Sequence, residues 1–341
     1  MMRVLINTKY DSAGSKICGD DLSIKFKNAS FEVVRNSRDN YQNYDLILFM
    51  SSSHPEVAKV KQVNPKAVVG IMDPKIGERG RPGIKIADFL LVSSIEQRDF
   101  FLKHNKNIII YYMFPETQEM IKEHTKKDKI IIGYHGNKVH LNASKEVSQA
   151  LDQLSERYEI EFWAMYNINN LGEWKFNLPK KCPVKHIQWS QDNYYKYLSQ
   201  VDIGIIPAFL PVNRKLGLFF TGKMINFWRN KFNLNNLDYL LRFKYSTNPG
   251  RIYPFSRLGI PVVADFAPSY CQLIQDGKSG FLVYSKEGWY DALEQLCLKP
   301  SLRQEMSDNL REYINNNCSP NINFNNLLKF IENVKKKKYD I

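Results

Sequence analysis

Short runs of Val, Ile, Leu and Phe alternate with polar, helix-capable segments along most of the chain, and this rhythm constrains the fold more than any other feature. Up to residue 115 the runs are Arg3–Asn7, Phe31–Val34, Asp45–Met50, Ala67–Met72, Asp88–Val92 and Asn107–Tyr112. Each is short, largely aliphatic and bounded by polar residues, the pattern of a strand buried on both faces of a parallel sheet. Between them lie segments such as Ser94–His104, in which Ile95, Phe100, Phe101 and Leu102 offer an apolar face. Strand–helix alternation of this kind predicts an α/β doubly wound domain.

The rhythm breaks at Pro115–Lys129, where Glu116, Lys122, Glu123, Lys126, Lys127 and Asp128 crowd together. This stretch reads as a linker or an interdomain helix. Alternation then resumes with Ile130–Tyr134, Tyr158–Ala164, Val184–Gln188, Ile203–Pro207, Pro261–Ala264 and Gly280–Val283. Helix-like segments separate these runs, notably Ser144–Arg157, Gln191–Gln200 and Glu287–Leu296, and Ser301–Tyr313 is also helix-like. Asn321–Lys338 carries Phe324, Leu327, Leu328, Phe330, Ile331 and Val334 at helical spacing and ends in lysines, which suit a helix C-terminus. A length of 341 residues suits two such domains. The expected architecture is α/β, with two Rossmann-like doubly wound domains facing across a cleft. Residues 1–125 form the first, residues 126–320 the second, and a final helix over 321–341 packs back on the first. Ligands of open parallel sheets bind outside the carboxyl ends of the strands.

Composition narrows the partners less. A net charge of +13 suits anionic partners, and equally a solvated basic surface. No stretch of about 18 apolar residues reads as a transmembrane helix. The segment Met1–Asn7 runs straight into a strand pattern, so no signal peptide is expected. The five cysteines are scattered, with no CxxC pair, which reads as reduced thiols in a cytoplasmic protein. Asp-x-Asp, HExxH and clustered Cys/His are all absent, so neither a metal nor a cofactor is expected.

The stretch Lys244–Ala264 concentrates potential chemistry: Lys244, Ser246, Thr247, Asn248, Gly250 and Arg251 precede a helix-like segment and the run Gly259-Ile260-Pro261-Val262-Val263-Ala264. Hydroxyls and free amides at a helix start cradle phosphate oxygens. The same residues also suit an ordinary N-capped helix. A second group, His135, Gly136 and Asn137, stands where a strand meets a helix. His140 lies just beyond and fits a packed helix-start histidine. The N-terminal loop Tyr10–Asp21 contains Gly14 and Gly19, which permit close approach of a ligand. Asp20 or Asp21 in that loop, Asp73 after Ala67–Met72, and His54 are candidate bases; each also fits a cap or turn.

The order of motifs in the second half resembles the C-terminal domain of group 1 (family 4) GT-B glycosyltransferases. The matching segments are Ile132-Gly133-Tyr134-His135-Gly136-Asn137, Val201-Asp202-Ile203-Gly204-Ile205-Ile206-Pro207, the Lys244–Arg251 loop, Gly259–Ala264, and Leu273-Ile274-Gln275-Asp276-Gly277-Lys278-Ser279-Gly280-Phe281-Leu282-Val283. The first half resembles the family in pattern, best at Ala87–Ser94. The resemblance implies transfer of a sugar from a UDP-, GDP- or similar donor to a glycan or lipid-linked acceptor. With this resemblance, His135, Gly136, Asn137, Gln188, Trp189, Lys244, Ser246, Thr247, Asn248, Gly250 and Arg251 are the expected donor-binding residues, and Asp20, Asp73 and His135 are the catalytic candidates read from their places in the sequence.

One departure stands out. The family's two glutamates, eight apart before the Gly-x-Pro strand, are replaced here by Ser246 and Pro254. This leaves the retaining or inverting outcome open, and keeps an epimerase-like or catalytically silent nucleotide-binding protein as the alternative. A two-lobed small-molecule receptor is disfavoured by the absence of an export signal. No basic motif points to nucleic acid. The stretch Arg214–Phe243 interleaves aromatic and basic residues, which suits either a buried helical excursion or peripheral contact with the inner face of a membrane.

Overall fold

The computed structural model describes residues 2–8, 13–50, 54–74, 81–115, 117–192, 194–208 and 248–339. The chain divides into two compact units. One comprises Met1–Glu116, Asn248–Gly250 and Asn317–Ile341, the other Thr117–Thr247 and Arg251–Asn316. Each contains a six-stranded parallel sheet.

In the first unit the strands are β1 (Arg3–Asn7), β2 (Glu32–Arg35), β3 (Leu46–Met50), β4 (Val68–Met72), β5 (Phe89–Val92) and β6 (Ile108–Ile110), in the order β2-β1-β3-β4-β5-β6. The register places Val4 opposite Leu46 and Val33, and Leu46 opposite Val68. Side chains alternate across the sheet because the strand period is two. Val4, Ile6, Leu46, Leu48, Val68, Phe89 and Leu91 face one layer of core. Leu5, Ile47, Phe49, Val69, Ile71, Leu90 and Val92 face the other. The helix Pro320–Tyr339 covers the first layer through Phe324, Leu327, Ile331 and Val334. Their spacing of three and four keeps them on one stripe of the helix. The helices His54–Val63, Arg81–Ile86 and Ile95–Phe101 cover the second layer through Val57, Val60, Ile84 and Phe101. Each such side chain buried contributes about 1.5–3 kcal/mol.

The second unit contains β7 (Lys129–His135), β8 (Glu159–Tyr166), β9 (Val184–Gln188), β10 (Ile203–Ile206), β11 (Val262–Asp265) and β12 (Phe281–Val283), in the order β12-β11-β10-β7-β8-β9. The helices Lys145–Ser155 and Lys286–Leu298 bury Leu151, Leu154, Trp289, Leu293 and Leu296 in its core. No helix among the described residues is long and apolar enough to cross a membrane.

The charge-dense segment over 117–127 is not a helix but an irregular strap on the second unit. Met120 and Lys122 donate backbone hydrogen bonds to Arg257 and Leu258. Lys122 and Lys127 converge on the buried Asp202 at 2.9 and 2.7 Å. Burial alone would raise the pKa of that carboxyl, but the Ile131 amide and the two ammonium groups outweigh it and hold it below the usual carboxylate range. The charges of the strap therefore satisfy a specific buried acid. The predicted helix Gln191–Gln200 is regular only over Tyr194–Leu198.

Candidate functional site

In the second unit the chain starts at β7, steps outward through β8 and β9, then returns to the other side of β7 to form β10. The strand order therefore reverses between β7 and β10. At such a reversal the connections leave in opposite directions and open a crevice at the carboxyl ends, where ligands bind.

Arg251 occupies this point, at the end of the turn Pro249–Arg251 that leads into the helix Ile252–Arg257. Its Nη2 donates to the carbonyl of Pro207, just past β10, at 2.8 Å and to the hydroxyl of Tyr270, past β11, at 2.6 Å. The guanidinium lies 5.8 Å from the ring centre of Tyr134 in β7. Its Nη1 is enclosed and has no hydrogen-bond partner among the described residues. Burial opposes the charge, but Tyr270, Tyr134 and Asp265 outweigh that penalty and hold the pKa above the ordinary arginine value.

His135 ends β7 and is 8% exposed. Its Nε2 lies 3.0 Å from the Arg251 carbonyl, so it donates there, and its ring meets Phe255 edge-on at 5.0 Å. Burial pushes the imidazole pKa down to about 4, leaving it neutral at pH 7. The ring thus acts as a neutral donor that positions Arg251. Gly136 follows at φ +144°, where a Cβ would stand 2.8 Å from the Tyr134 hydroxyl and 3.1 Å from Cδ of Arg251. Glycine is what lets the arginine lie against the strand end. The Tyr134 hydroxyl donates to the Asn137 carbonyl at 2.7 Å, and Asn137 Oδ1 accepts from the Val139 amide at 3.0 Å. His135, Gly136, Asn137 and Arg251 are therefore brought together.

Other predicted donor residues lie elsewhere. Gln188 ends the outer strand β9, two strands from β7, which is about 10 Å at sheet spacing. Its side chain bonds Trp189, Asn167 and Asn169, and Trp189 stacks on Tyr194 at 6.5 Å. Asn248 and Gly250 belong to the first unit. Asn248 donates to the Met113 carbonyl at 3.2 Å and accepts from the Gly250 amide at 3.0 Å. A Cβ on Gly250 would stand 2.5 Å from that same carbonyl. Lys244, Ser246, Thr247, the Arg214–Phe243 stretch and Tyr10–Ser12 lie outside the described residues.

The candidate bases of the first unit have separate settings. Asp20 is exposed and paired with Arg35 at 2.6 Å. Asp73 follows β4 at φ +46°, a left-handed conformation that Asp tolerates better than most residues. Asp21 is buried, and His54 opens the helix His54–Val63.

Tyr134, Tyr270 and Asp265 are the contributors missed in the sequence. The two tyrosines read as core residues, and they are fully buried. The usable signal is a phenol next to His-Gly in an otherwise aliphatic strand, since buried hydroxyls seek partners.

No protein-family profile matches the chain, and no curated protein matches it. Solved structures do. Sucrose-phosphate synthase from Thermosynechococcus elongatus superposes with a TM-score of 0.66 at 10% identity, covering 98% of this chain and 99% of that one. HepE from Anabaena, solved with UDP and glucose, gives 0.60 at 10% identity over 100% of both chains. The pneumococcal O-GlcNAc transferase GtfA, solved with UDP and GlcNAc, gives 0.51 at 14% identity, covering 85% of this chain and 56% of that one. The two parallel sheets match the two Rossmann-like domains of these GT-B glycosyltransferases.

Proposed function

We propose that this chain of GT-B fold is a glycosyltransferase that moves a sugar from a nucleoside diphosphate donor to a glycan or lipid-linked acceptor. The observation that carries this reading is Arg251 at the β7/β10 reversal, with Nη1 enclosed and without a hydrogen-bond partner among the described residues. A guanidinium nitrogen in that state costs free energy until an acceptor reaches it. A diphosphate oxygen supplies one. The leaving diphosphate gains charge as the glycosidic bond breaks, so Arg251 binds it more strongly in the transition state than before. HepE and GtfA, both solved with UDP, support a uridine donor.

In this reading residues 126–320 hold the donor, with Trp189 at the β9 edge stacking the base and the Lys244–Thr247 loop completing the phosphate cradle. Residues 1–125, with the 321–341 helix, hold the acceptor. Asp73 is the base we favour, because it directly follows the carboxyl end of β4, the edge at which ligands of parallel sheets bind. Catalysis needs no metal, and the reaction belongs to surface polysaccharide or glycoconjugate synthesis on the cytoplasmic side.

The test is a donor screen by nucleotide release with UDP-glucose, UDP-GlcNAc and GDP-mannose, with and without EDTA, and with product anomers read by NMR. Release that depends on acceptor and survives EDTA is expected. Loss of activity in EDTA with rescue by Mn²⁺ would overturn metal independence. Failure of every nucleoside diphosphate to raise the melting temperature would sink the donor site itself.

A further inference from the structure

The first unit gathers a second concentration of positive charge that the donor reading leaves unused. An open pocket of about 590 Å³ lies where β5 and β6 begin, with Asp88 and Asn107 in its wall. This is the amino-terminal edge of the sheet, opposite the edge where ligands of open α/β sheets enter. Lys85 comes from the helix Arg81–Ile86, Lys103 and Lys106 from the turn after the helix Ile95–Phe101, and Lys337 and Lys338 from the end of the helix Pro320–Tyr339.

The turn is held in place from beneath. Asn105, 8% exposed, donates to the carbonyls of Ile84 at 3.0 Å and Ala87 at 2.8 Å, and accepts from the Asn107 amide at 2.9 Å. The carboxylate of the pocket, Asp88, is already satisfied. It accepts from Lys61 at 2.6 Å, Lys338 at 3.1 Å and the Val69 amide at 2.7 Å. Lys85, Lys103, Lys106 and Lys337 have no carboxylate partner among the described residues. Lys103 Nζ lies 4.9 Å from the centre of the Phe100 ring, but four ammonium groups without a carboxylate around one concavity still repel each other until an anion joins them. One negative charge relieves part of that repulsion, whereas a diphosphate, or several phosphodiester headgroups of an anionic lipid surface gathered around the rim, relieves more of it.

We propose that this pocket is a binding site for a phosphate-bearing group. Two sources share that chemistry, a lipid headgroup and a soluble phosphate compound. The exposed Leu102 in the pocket lining, next to Lys103, gives the rim an apolar element that suits a bilayer surface.

The experiment compares the full chain with the triple variant K103E/K106E/K337E. One arm is flotation with vesicles of phosphatidylglycerol in phosphatidylcholine against pure phosphatidylcholine. The other is calorimetric titration with pyrophosphate. Retention that needs phosphatidylglycerol and falls by about 100-fold in the variant identifies a lipid headgroup. A pyrophosphate affinity that falls similarly, without vesicle retention, identifies a soluble ligand. UDP affinity should stay at the wild-type value in either case. Absence of both interactions in the wild type, or equal binding by wild type and variant, overturns the proposal. If the triple variant melts early, K103Q/K106Q takes its place in the same comparison.

Discussion

Arg35 and Arg251 both stand at the carboxyl ends of strands, one in each unit, and their bonding differs. Arg35 ends β2. Its Nε donates to the Ile6 carbonyl at 3.2 Å, its Nη2 to Thr8 Oγ1 at 2.9 Å, and its Nη1 to Asp20 at 2.6 Å. Every nitrogen of that guanidinium is engaged, one by a carboxylate. Among the described residues Arg251 has two bonds on one nitrogen, to a carbonyl and a phenol, and none on Nη1. The first arginine ties a loop to a strand end. The second is fixed at the strand ends with donor capacity to spare, the state expected of a preorganised anion site. An arginine at a strand end is thus no guide to function until its acceptors are counted.

The largest effect should separate the two arginines by activity. Arg251→Met should lower the nucleotide-release rate by about 10²–10³-fold, the usual cost of losing one preorganised donor. Arg35→Met should leave it near wild type. Equal losses in both variants, measured in the same release assay, would erase the distinction.

A smaller effect should appear in the pH dependence of stability. His135 holds the Arg251 carbonyl, and its folded pKa of about 4 lies below the ordinary 6.5. The unfolded chain therefore binds the proton more readily between these values, and stability falls as pH drops through that window. The full interval corresponds to about 3 kcal/mol. Well above pH 6.5 the imidazole is neutral in both states and contributes no slope. Denaturant titrations of wild type and His135→Gln from pH 7 to pH 4 measure the difference. Parallel curves would mean that His135 is not buried as described, and the setting of Arg251 would need revision.

The smallest effect belongs to the engaged arginine. Asp20→Asn should reduce stability by about 1 kcal/mol or less, because its carboxylate is exposed and water replaces the partner. A loss of turnover much greater than the loss of stability would instead make Asp20 the base in place of Asp73. Melting temperature and nucleotide release on the same preparation distinguish these outcomes.

The strands were legible because a parallel strand buried on both faces needs a continuous aliphatic run, and such runs are local. β1 and β9 coincide with their predicted runs. The errors occur where pairing, rather than composition, sets the ends. β8 continues to Tyr166 because residues through Tyr166 pair with β9, and the Asn107–Tyr112 run is regular only over Ile108–Ile110, where it pairs with β5. The strap at 117–127 misled as a possible helix because its lysines are matched to Asp202, an acid far away in the chain.

The sequence by itself determined the two parallel sheets and the placement of His135, Gly136 and Asn137 at a strand end, since periodicity and turn chemistry act between near neighbours. Tertiary structure alone decided what Arg251 does. Its acceptors come from Pro207 and Tyr270, its glycine neighbour from Gly136, and its carbonyl partner from His135. These groups lie on segments that meet only when β7, β10 and β11 stand side by side. Whether a buried cation is neutralised by the fold or left for a ligand depends on that meeting, because the strength of a charge's interactions depends on distance and enclosure, which no local pattern encodes.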